Sequence, residues 1–426
     1  MKKYSGYMQL NYKPSKNDLV MLYKVKPARG ISMEQAAEAV DAESSIGTWT
    51  EIATMSPKIQ KKGAKVFDMH GNHVKIAYPL ELFELGNMPQ IWSSIAGNIF
   101  NMKDIESLRL EDAQWPKKLA QSFRGPKFGI PGIRKLLKVK NRPLCGTIIK
   151  PKLGLNEKEH ARVAYEAWVG GLDIVKDDEN LTSQPFNKFY TRVRETLKLR
   201  DKAEKETGEK KMYMANVSAE TEEMLKRAHF VKKQGGEYAM VDILTVGWSG
   251  LQTLREENED LNLVLHAHRA MHGALTRSPN QGISMLFIAD TVRLIGVDQL
   301  HIGTAVGKMM ETKEEVKMVG EEIEKGFVKE IGRHRLQENW HGIKPVFAVC
   351  SGGLHPGLIP PLVKMLGKDI IVQAGGGVHG HPWGTKYGAR AMRQAIDAVM
   401  AQTSLKDWAK THKELELAIN KWGTCQ

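Results

Sequence analysis

GLDIVKDDENL, residues 171–181, reads as a short buried β-strand that ends in charge. Alternate residues of a strand share a face, so Lys176 and Asp178 point the same way, and Glu179 follows where the chain turns out of the sheet. Three ionisable groups thus converge on one strand end. Burying such groups is costly unless they are paired or hold a metal. One reading is a structural ion pair. The other starts from the hardness of carboxylate oxygens, which suit Mg²⁺, although two protein ligands are few for a dedicated site. A neutral lysine amine reacts with CO2 to give a carbamate, which would be a third anionic oxygen ligand.

The stretch belongs to a repeated pattern. Past about residue 130, apolar runs end in polar or glycine residues and are followed by helix-like segments. Eight such runs occur: LCGTIIKPK (144–152), LDIVKDDE (172–179), KMYMANVS (211–218), YAMVDILTVG (238–247), LVLHAHR (263–269), QLHIGT (299–304), VFAVCSGG (346–353) and IIVQAGGG (370–377). Intervening segments such as AETEEMLKRAHFVKKQGG carry apolar residues near helical spacing and end in glycine, as helices do. Strand and helix alternating eight times predicts an α/β fold, a (β/α)8 TIM barrel. At 426 residues the chain exceeds what one core usually supports. The expected division is a smaller N-terminal α+β domain over residues 1–125, then residues 126–426 as the barrel with a C-terminal helical tail.

Hydrophobic residues at 42% and charged residues at 26% are ordinary for a globular protein. No apolar run approaches the length of a membrane span, and MKKYSGYMQLNYKP at the start lacks a signal-type apolar core, so a cytoplasmic protein without a membrane partner is expected. Three cysteines cannot all pair; Cys145 and Cys350 lie in apolar runs and read, with Cys425, as reduced thiols. The net charge of +13 is spread along mixed-charge helices such as EEIEKGFVKEIGRHRLQ. That argues against a nucleic-acid surface and fits a positive field that attracts an anionic small substrate.

Active sites of such barrels sit at the C-terminal strand ends. Those ends carry Lys150 and Lys152, then Lys176, Asp178 and Glu179, then His266, His268 and Arg269, then His301. The seventh and eighth end in SGG and GGG, and Gly352, Gly353, Gly375 and Gly376 would let backbone N–H groups approach a phosphate. Arg269 and His301 suggest a second anion site, so a bisphosphate would span the two. Gly303 and Gly307 make the loop carrying Lys308 a candidate lid, where the plain reading is a surface lysine. HAHRAMH, with His266, His268 and His272, also suits zinc. In hydrolases that combine zinc with a lysine carbamate the histidine pair is on the first strand and an aspartate closes the eighth; here the pair is on the fifth and the eighth carries glycines.

At these positions the chain resembles the large subunit of ribulose-1,5-bisphosphate carboxylase/oxygenase (RuBisCO), from about residue 40 to about 390. GTIIKPKLGL, GGLDIVKDDEN, HAHRAMH, HIGTAVGK, SGG and QAGGGVHGHPWG appear in the family's order, and AESSIGTWT and GNIF match in the N-terminal part. The resemblance implies that Lys176 takes up a non-substrate CO2 as carbamate and that Asp178 and Glu179 complete the protein ligands of Mg²⁺. In that reading the carbamate removes the C3 proton of ribulose bisphosphate. Lys150 handles protons at C2 with support from Lys152, and His268 assists hydration of the carboxylated intermediate. Arg269 and His301 match ligands of the 5-phosphate, and Ser351 a contact to the sugar hydroxyls. Gly375, Gly376 and Gly353, beside Gly352 and with Thr48, match the 1-phosphate site. Lys308 would close over substrate and stabilise the new carboxylate.

Glu43, Thr48, Trp49 and Asn98 match residues that, in the family, complete the site of a neighbouring subunit. A homodimer or a multimer of dimers without small subunits is therefore implied, acting on ribulose 1,5-bisphosphate with CO2 and O2. The sixth-loop segment GKMMETKEE departs from the GKxEGE of many relatives and lacks a hinge glycine, so lid behaviour does not carry over. Ile148, the early C-terminus and the high charge look most like an archaeal form III or form II/III enzyme, which implies nucleotide or ribose-phosphate salvage feeding 3-phosphoglycerate. RuBisCO-like sugar-phosphate enolases or isomerases are the enzyme alternative; they typically replace several of these residues, and none is replaced here.

Overall fold

The computed structural model describes residues 6–307 and 311–425. They form two compact units. The first contains the residues up to Gly125 together with Met271–Ile295 and Lys325–Ile343. Its main sheet has five strands, in the order Gly282–Ile283, Ile105–Gln114, Leu19–Pro27, His73–Tyr78 and Lys65–His70. Pairing is antiparallel except for Gly282–Ile283, which runs parallel to Ile105–Gln114. Leu19 to Tyr23 are all buried, as expected of a central strand covered on both faces. Helix Met33–Ser44 packs on this strand through Ala36, Ala37, Val40 and neighbouring small residues. It starts at Ser32, whose side chain and that of Gln35 reciprocally satisfy backbone N–H groups.

The second unit contains Pro126–Ala270, Gly296–Glu324 and the chain from Lys344 onward. Eight parallel strands close into a barrel: β1 (Leu144–Ile148), β2 (Ile174–Lys176), β3 (Met212–Asn216), β4 (Tyr238–Asp242), β5 (Val264–His268), β6 (Gln299–His301), β7 (Phe347–Ser351) and β8 (Ile370–Gln373). They pair in chain order, with β8 beside β1. Every strand lies inside the apolar run expected to form it and is shorter than that run. YAMVDILTVG is strand only to Asp242; Ile243 begins a helix that runs to Leu261, kinked at Gly247.

Leu144, Ile174, Met212, Tyr238, Val264, Phe347 and Ile371, at the N-terminal ends of their strands, cluster with Ile130, Ile133 and Leu137 of helix Gly129–Leu137. This apolar plug closes one mouth of the barrel. Asp298 secures it by accepting hydrogen bonds from the amides of Phe128, Gly129 and Leu265. Helix Glu157–Val169 starts at a capping box of Asn156 and Glu159, and helix Phe189–Thr207 stops at Gly208, which takes the left-handed conformation. With one mouth filled by hydrocarbon, polar strand-end residues are left to the other.

Candidate active site

Strand register sets the chemistry. Lys176 of β2 stands opposite Ile148 and Met214, Asp242 of β4 opposite His268 of β5, and Ser351 of β7 opposite Gln373 of β8. Lys176 is buried; its Nζ donates to the Asp177 carbonyl at 2.7 Å and lies 3.2 Å from Met240 Sδ. Burial pulls this amine below the ordinary lysine range, and the nearby acids Asp242, Glu179 and Asp178 oppose the shift without cancelling it. A lowered lysine has a larger neutral fraction, the form that reacts with CO2.

Asp178 lies two residues past the end of β2, where strand alternation no longer applies, and is near enough to act on Lys176. Its Oδ2 receives the Lys150 ammonium, while Oδ1 is buried with no hydrogen-bond partner. Burial works against the charge on Asp178, but contacts with Glu179 and Lys150 prevail and hold its carboxyl below the usual range; burial and Asp178 push Glu179 up. The two carboxylates therefore lie close enough to shift each other in opposite directions, as neighbouring acids do. Among the described residues no three His, Cys, Asp or Glu side chains converge so as to hold a metal. Asp178 and Glu179 supply two hard oxygen ligands, and a carbamate on Lys176 would be the third. The unpaired buried Asp178 oxygen beside a second carboxylate fits a divalent cation at this place.

The wall beside this pair is built from three histidines. His268 Nδ1 lies 2.8 Å from Asp242 Oδ1, and its Nε2 lies 3.7 Å from Glu179 Oε2. Burial raises Asp242 to about 6 and holds His268 well below the ordinary imidazole range. His266 Nδ1 is 2.9 Å from Gln299 Oε1, His266 Nε2 is 3.0 Å from His301 Nε2, and His301 Nδ1 is 2.7 Å from Ser351 Oγ. Burial keeps His266 and His301 low as well. One set of neutral tautomers satisfies this chain: Gln299 accepts from His266, His266 Nε2 accepts from His301, and His301 Nδ1 accepts the Ser351 hydroxyl. In that arrangement the Ser351 oxygen keeps its lone pairs available as acceptors. The histidines suggestive of zinc are thus committed to hydrogen bonds, and His272 Nδ1 lies 3.0 Å from Thr276 Oγ1.

Arg269 is buried and donates through Nη2 to Glu311 Oε1 at 2.6 Å. Gly352 and Gly353 have φ of 122° and 76°, which explains why glycine occupies both positions. A Cβ at Gly375 would lie 3.0 Å from Lys150 Cε, so glycine there makes room for that lysine. Gly376 opens the short helix Gly376–His379, whose first amides have no partner within the helix. Lys152 is exposed and reaches Asn180 Oδ1 at 3.3 Å. Lys308 lies outside the described residues. In the first unit, Glu43 is near the end of helix Met33–Ser44, Thr48 and the exposed Trp49 follow it, and Asn98 starts the turn Asn98–Asn101. A Cβ at Gly47 would come within 2.5 Å of Tyr7 Oη and 2.7 Å of Ala42 Cβ, so the AESSIGTWT loop is a specified turn.

Sequence reasoning misses two groups. Asp242 ends β4 as the lone acid of an apolar run, and that position was the available signal. Asp177, between the two residues singled out, faces the opposite side and is fully buried. It accepts from Arg192 Nε and Nη2 at 3.2 and 3.1 Å, from Tyr213 Oη at 2.7 Å and from the Asn216 amide at 3.0 Å. Burial alone would raise its carboxyl, but Arg192, His160 and the Asn216 amide hold it well below the usual carboxylate range. Asn216 Nδ2 in turn donates to the Glu179 carbonyl at 3.1 Å. Asp177 therefore ties the end of β2 to β3 and to helix Phe189–Thr207, and so fixes where Lys176 and Asp178 point.

Residues 129–422 match the family described as ribulose bisphosphate carboxylase large chain, catalytic domain, and residues 6–119 match its N-terminal domain. The chain is 53% identical over 422 residues to the ribulose bisphosphate carboxylase of Methanosarcina mazei, with 98% of each chain covered. To that of Pyrococcus furiosus it is 47% identical over 424 residues, covering 99% of this chain and 98% of the relative. Among solved structures, the dimeric archaeal Rubisco of Hyperthermus butylicus superposes with a TM-score of 0.93 at 46% identity, covering 98% of this chain and 99% of the other. The octameric enzyme of Pyrococcus horikoshii gives 0.91 at 47% identity, covering 98% and 96%. Matches that span both domains at this identity, over a barrel with these strand ends, make this chain a member of the ribulose bisphosphate carboxylase large-chain family.

Proposed function

We propose that this chain carboxylates ribulose 1,5-bisphosphate to two molecules of 3-phosphoglycerate, with O2 as the competing gas, and that Lys176 must first be carbamylated. The observation that carries the reading is Lys176 itself: a buried amine, lowered by that burial, beside an acidic pair with an unsatisfied buried oxygen. Asp178, Glu179 and carbamylated Lys176 would hold Mg²⁺, which when bound supplies a Lewis-acid centre that lowers the cost of negative charge on substrate oxygens.

Lys176, in its carbamate form, accepts the C3 proton. Lys150, positioned by Asp178, delivers and removes protons at C2, with Lys152 in support. His268 moves a proton during hydration, its ring oriented by Asp242. Arg269 and His301 bind the 5-phosphate, Ser351 contacts the sugar hydroxyls, and Gly352, Gly353, Gly375 and Gly376 with Thr48 receive the 1-phosphate. Lys308 stabilises the new carboxylate.

Residues 1–125 form the domain that lends Glu43, Thr48, Trp49 and Asn98 to a neighbouring subunit, and a homodimer is the minimal active unit. The similar archaeal enzymes solved as a dimer and as an octamer support assembly without small subunits. The archaeal origin of these relatives supports a role in nucleotide or ribose-phosphate salvage, in the cytoplasm.

Incorporation of labelled bicarbonate into acid-stable product, in anaerobic buffer with Mg²⁺ and ribulose bisphosphate, tests the reading. Activity is expected to need preincubation with CO2 and Mg²⁺, and Lys176→Ala is expected to abolish it with an unchanged circular dichroism spectrum. Turnover by that variant would refute the assignment.

A further inference from the structure

The pairing of Arg269 with Glu311 is incomplete on both sides. Arg269 uses only Nη2, and its Nη1 is buried without a partner; Glu311 uses only Oε1, and its Oε2 is buried without a partner. Buried guanidinium–carboxylate pairs that serve structure are commonly bidentate, with their remaining polar atoms satisfied. The local sequence explains how Glu311 arrives there. Thr312 and Glu315 cap each other's backbone N–H groups at the start of helix Lys313–Glu324, which fixes the residue just before the cap. Gly303, with φ of 89°, completes the niche: a Cβ there would lie 3.0 Å from Arg269 Nη2 and 3.2 Å from Glu311 Cδ.

We infer that Glu311 is an internal competitor for Arg269: in the free chain its carboxylate holds the guanidinium that a substrate phosphate must take over. The inference rests on the reading of Arg269 as an anion-binding residue. A phosphate presents several acceptor oxygens in place of one and serves both arms of Arg269. Glu311, whose side chain is already 18% exposed, returns its carboxylate to water. Binding of the phosphate and release of Glu311 are one exchange, so the apparent affinity is lowered by the fraction of chains in which Glu311 is bound.

The test is calorimetric titration of the full chain with inorganic phosphate. Glu311→Gln removes the charge of the competitor and is expected to tighten binding roughly tenfold. Glu314→Gln removes the same charge from an exposed neighbour and is expected to change affinity by less than about twofold, as screened surface charges do. Adding Arg269→Ala to Glu311→Gln is expected to erase the gain. Equal tightening by Glu314→Gln, or a gain that survives Arg269→Ala, would overturn the competition. If Arg269→Ala alone weakens phosphate binding and Glu311→Gln does not tighten it, the competition fails and the anion site stands. If Arg269→Ala alone has no effect, both fail.

Discussion

Asp177→Asn should be among the most destabilising isosteric changes in the barrel unit. The wild-type carboxylate and Arg192 are both fully buried, with Nη2 3.1 Å from Oδ2. His160 Nε2 lies 3.1 Å from Oδ1, and Tyr213 Oη and the Asn216 amide donate to the same group. Asparagine keeps the shape but leaves the Arg192 charge uncompensated and turns an N–H₂ toward donors. Breaking a buried pair from one side costs about 3–5 kcal/mol, against a total stability on the order of 5–15 kcal/mol. The comparison is Asp369→Asn, whose partner Arg134 lies 2.6 Å away but whose own side chain is 33% exposed; a pair open to solvent contributes about 0–1 kcal/mol. Urea unfolding of the full chain followed by circular dichroism reads both. The midpoint should fall much further for Asp177→Asn, and Asp177→Asn/Arg192→Met should recover part of the loss, because no buried charge is then stranded. Equal shifts for the two single variants, or a double variant as unstable as the sum of its parts, would refute the view of Asp177 as the charge that ties down the end of β2.

His379 accepts the Thr385 hydroxyl at Nδ1 and donates to Thr147 from Nε2, and burial holds it at about 4. Its unfolded value is about 6.5, so the unfolded chain binds more protons between roughly pH 6.5 and 4 and stability falls as pH drops through that window, by up to about 3 kcal/mol. His379→Gln should flatten this part of the stability profile; an unchanged slope would show that the acid sensitivity lies elsewhere. At Gly307 an added Cβ would meet the Gly352 carbonyl at 1.9 Å. Gly307→Ala should therefore displace the sixth loop and lower kcat/KM by about 10- to 100-fold with an unchanged circular dichroism spectrum, whereas wild-type kinetics would mean that this loop contact is dispensable. Burial pushes the Cys145 and Cys350 thiols to about 12, while Cys425 is exposed. Iodoacetamide should modify Cys425 alone in the native chain, and labelling of either strand cysteine would contradict the closed barrel.

The eight strands are legible in the sequence because a barrel strand covered on both faces is an unbroken apolar run, and turn residues punctuate it. Strand ends are less legible. YAMVDILTVG stays apolar through Gly247, yet the backbone changes from strand to helix after Asp242; hydrophobicity records burial and not backbone angle. Alternation along the sequence places Lys176 and Asp178 together, although the strand itself ends at Lys176, and the resemblance supplies their roles. The same alternation hides Asp177, whose partners Arg192, Tyr213 and Asn216 come from a helix and a strand farther along the chain. The short strand Gly282–Ile283 is similarly silent, since its pairing with Ile105–Gln114 joins segments far apart in sequence.

By itself, then, the sequence determines the kind and order of the elements and which chemical groups stand at the strand ends, because burial pattern and side-chain alternation are local properties of the chain. Only the tertiary structure decides the state of those groups: that Lys176 is lowered, that Asp178 is held down while Glu179 is pushed up, that His266 and His301 link Gln299 to Ser351, and that Glu311 occupies Arg269. Charge state and hydrogen-bond direction depend on desolvation and on distances of a few ångströms between residues from different strands and loops. Those distances exist only once the barrel has closed.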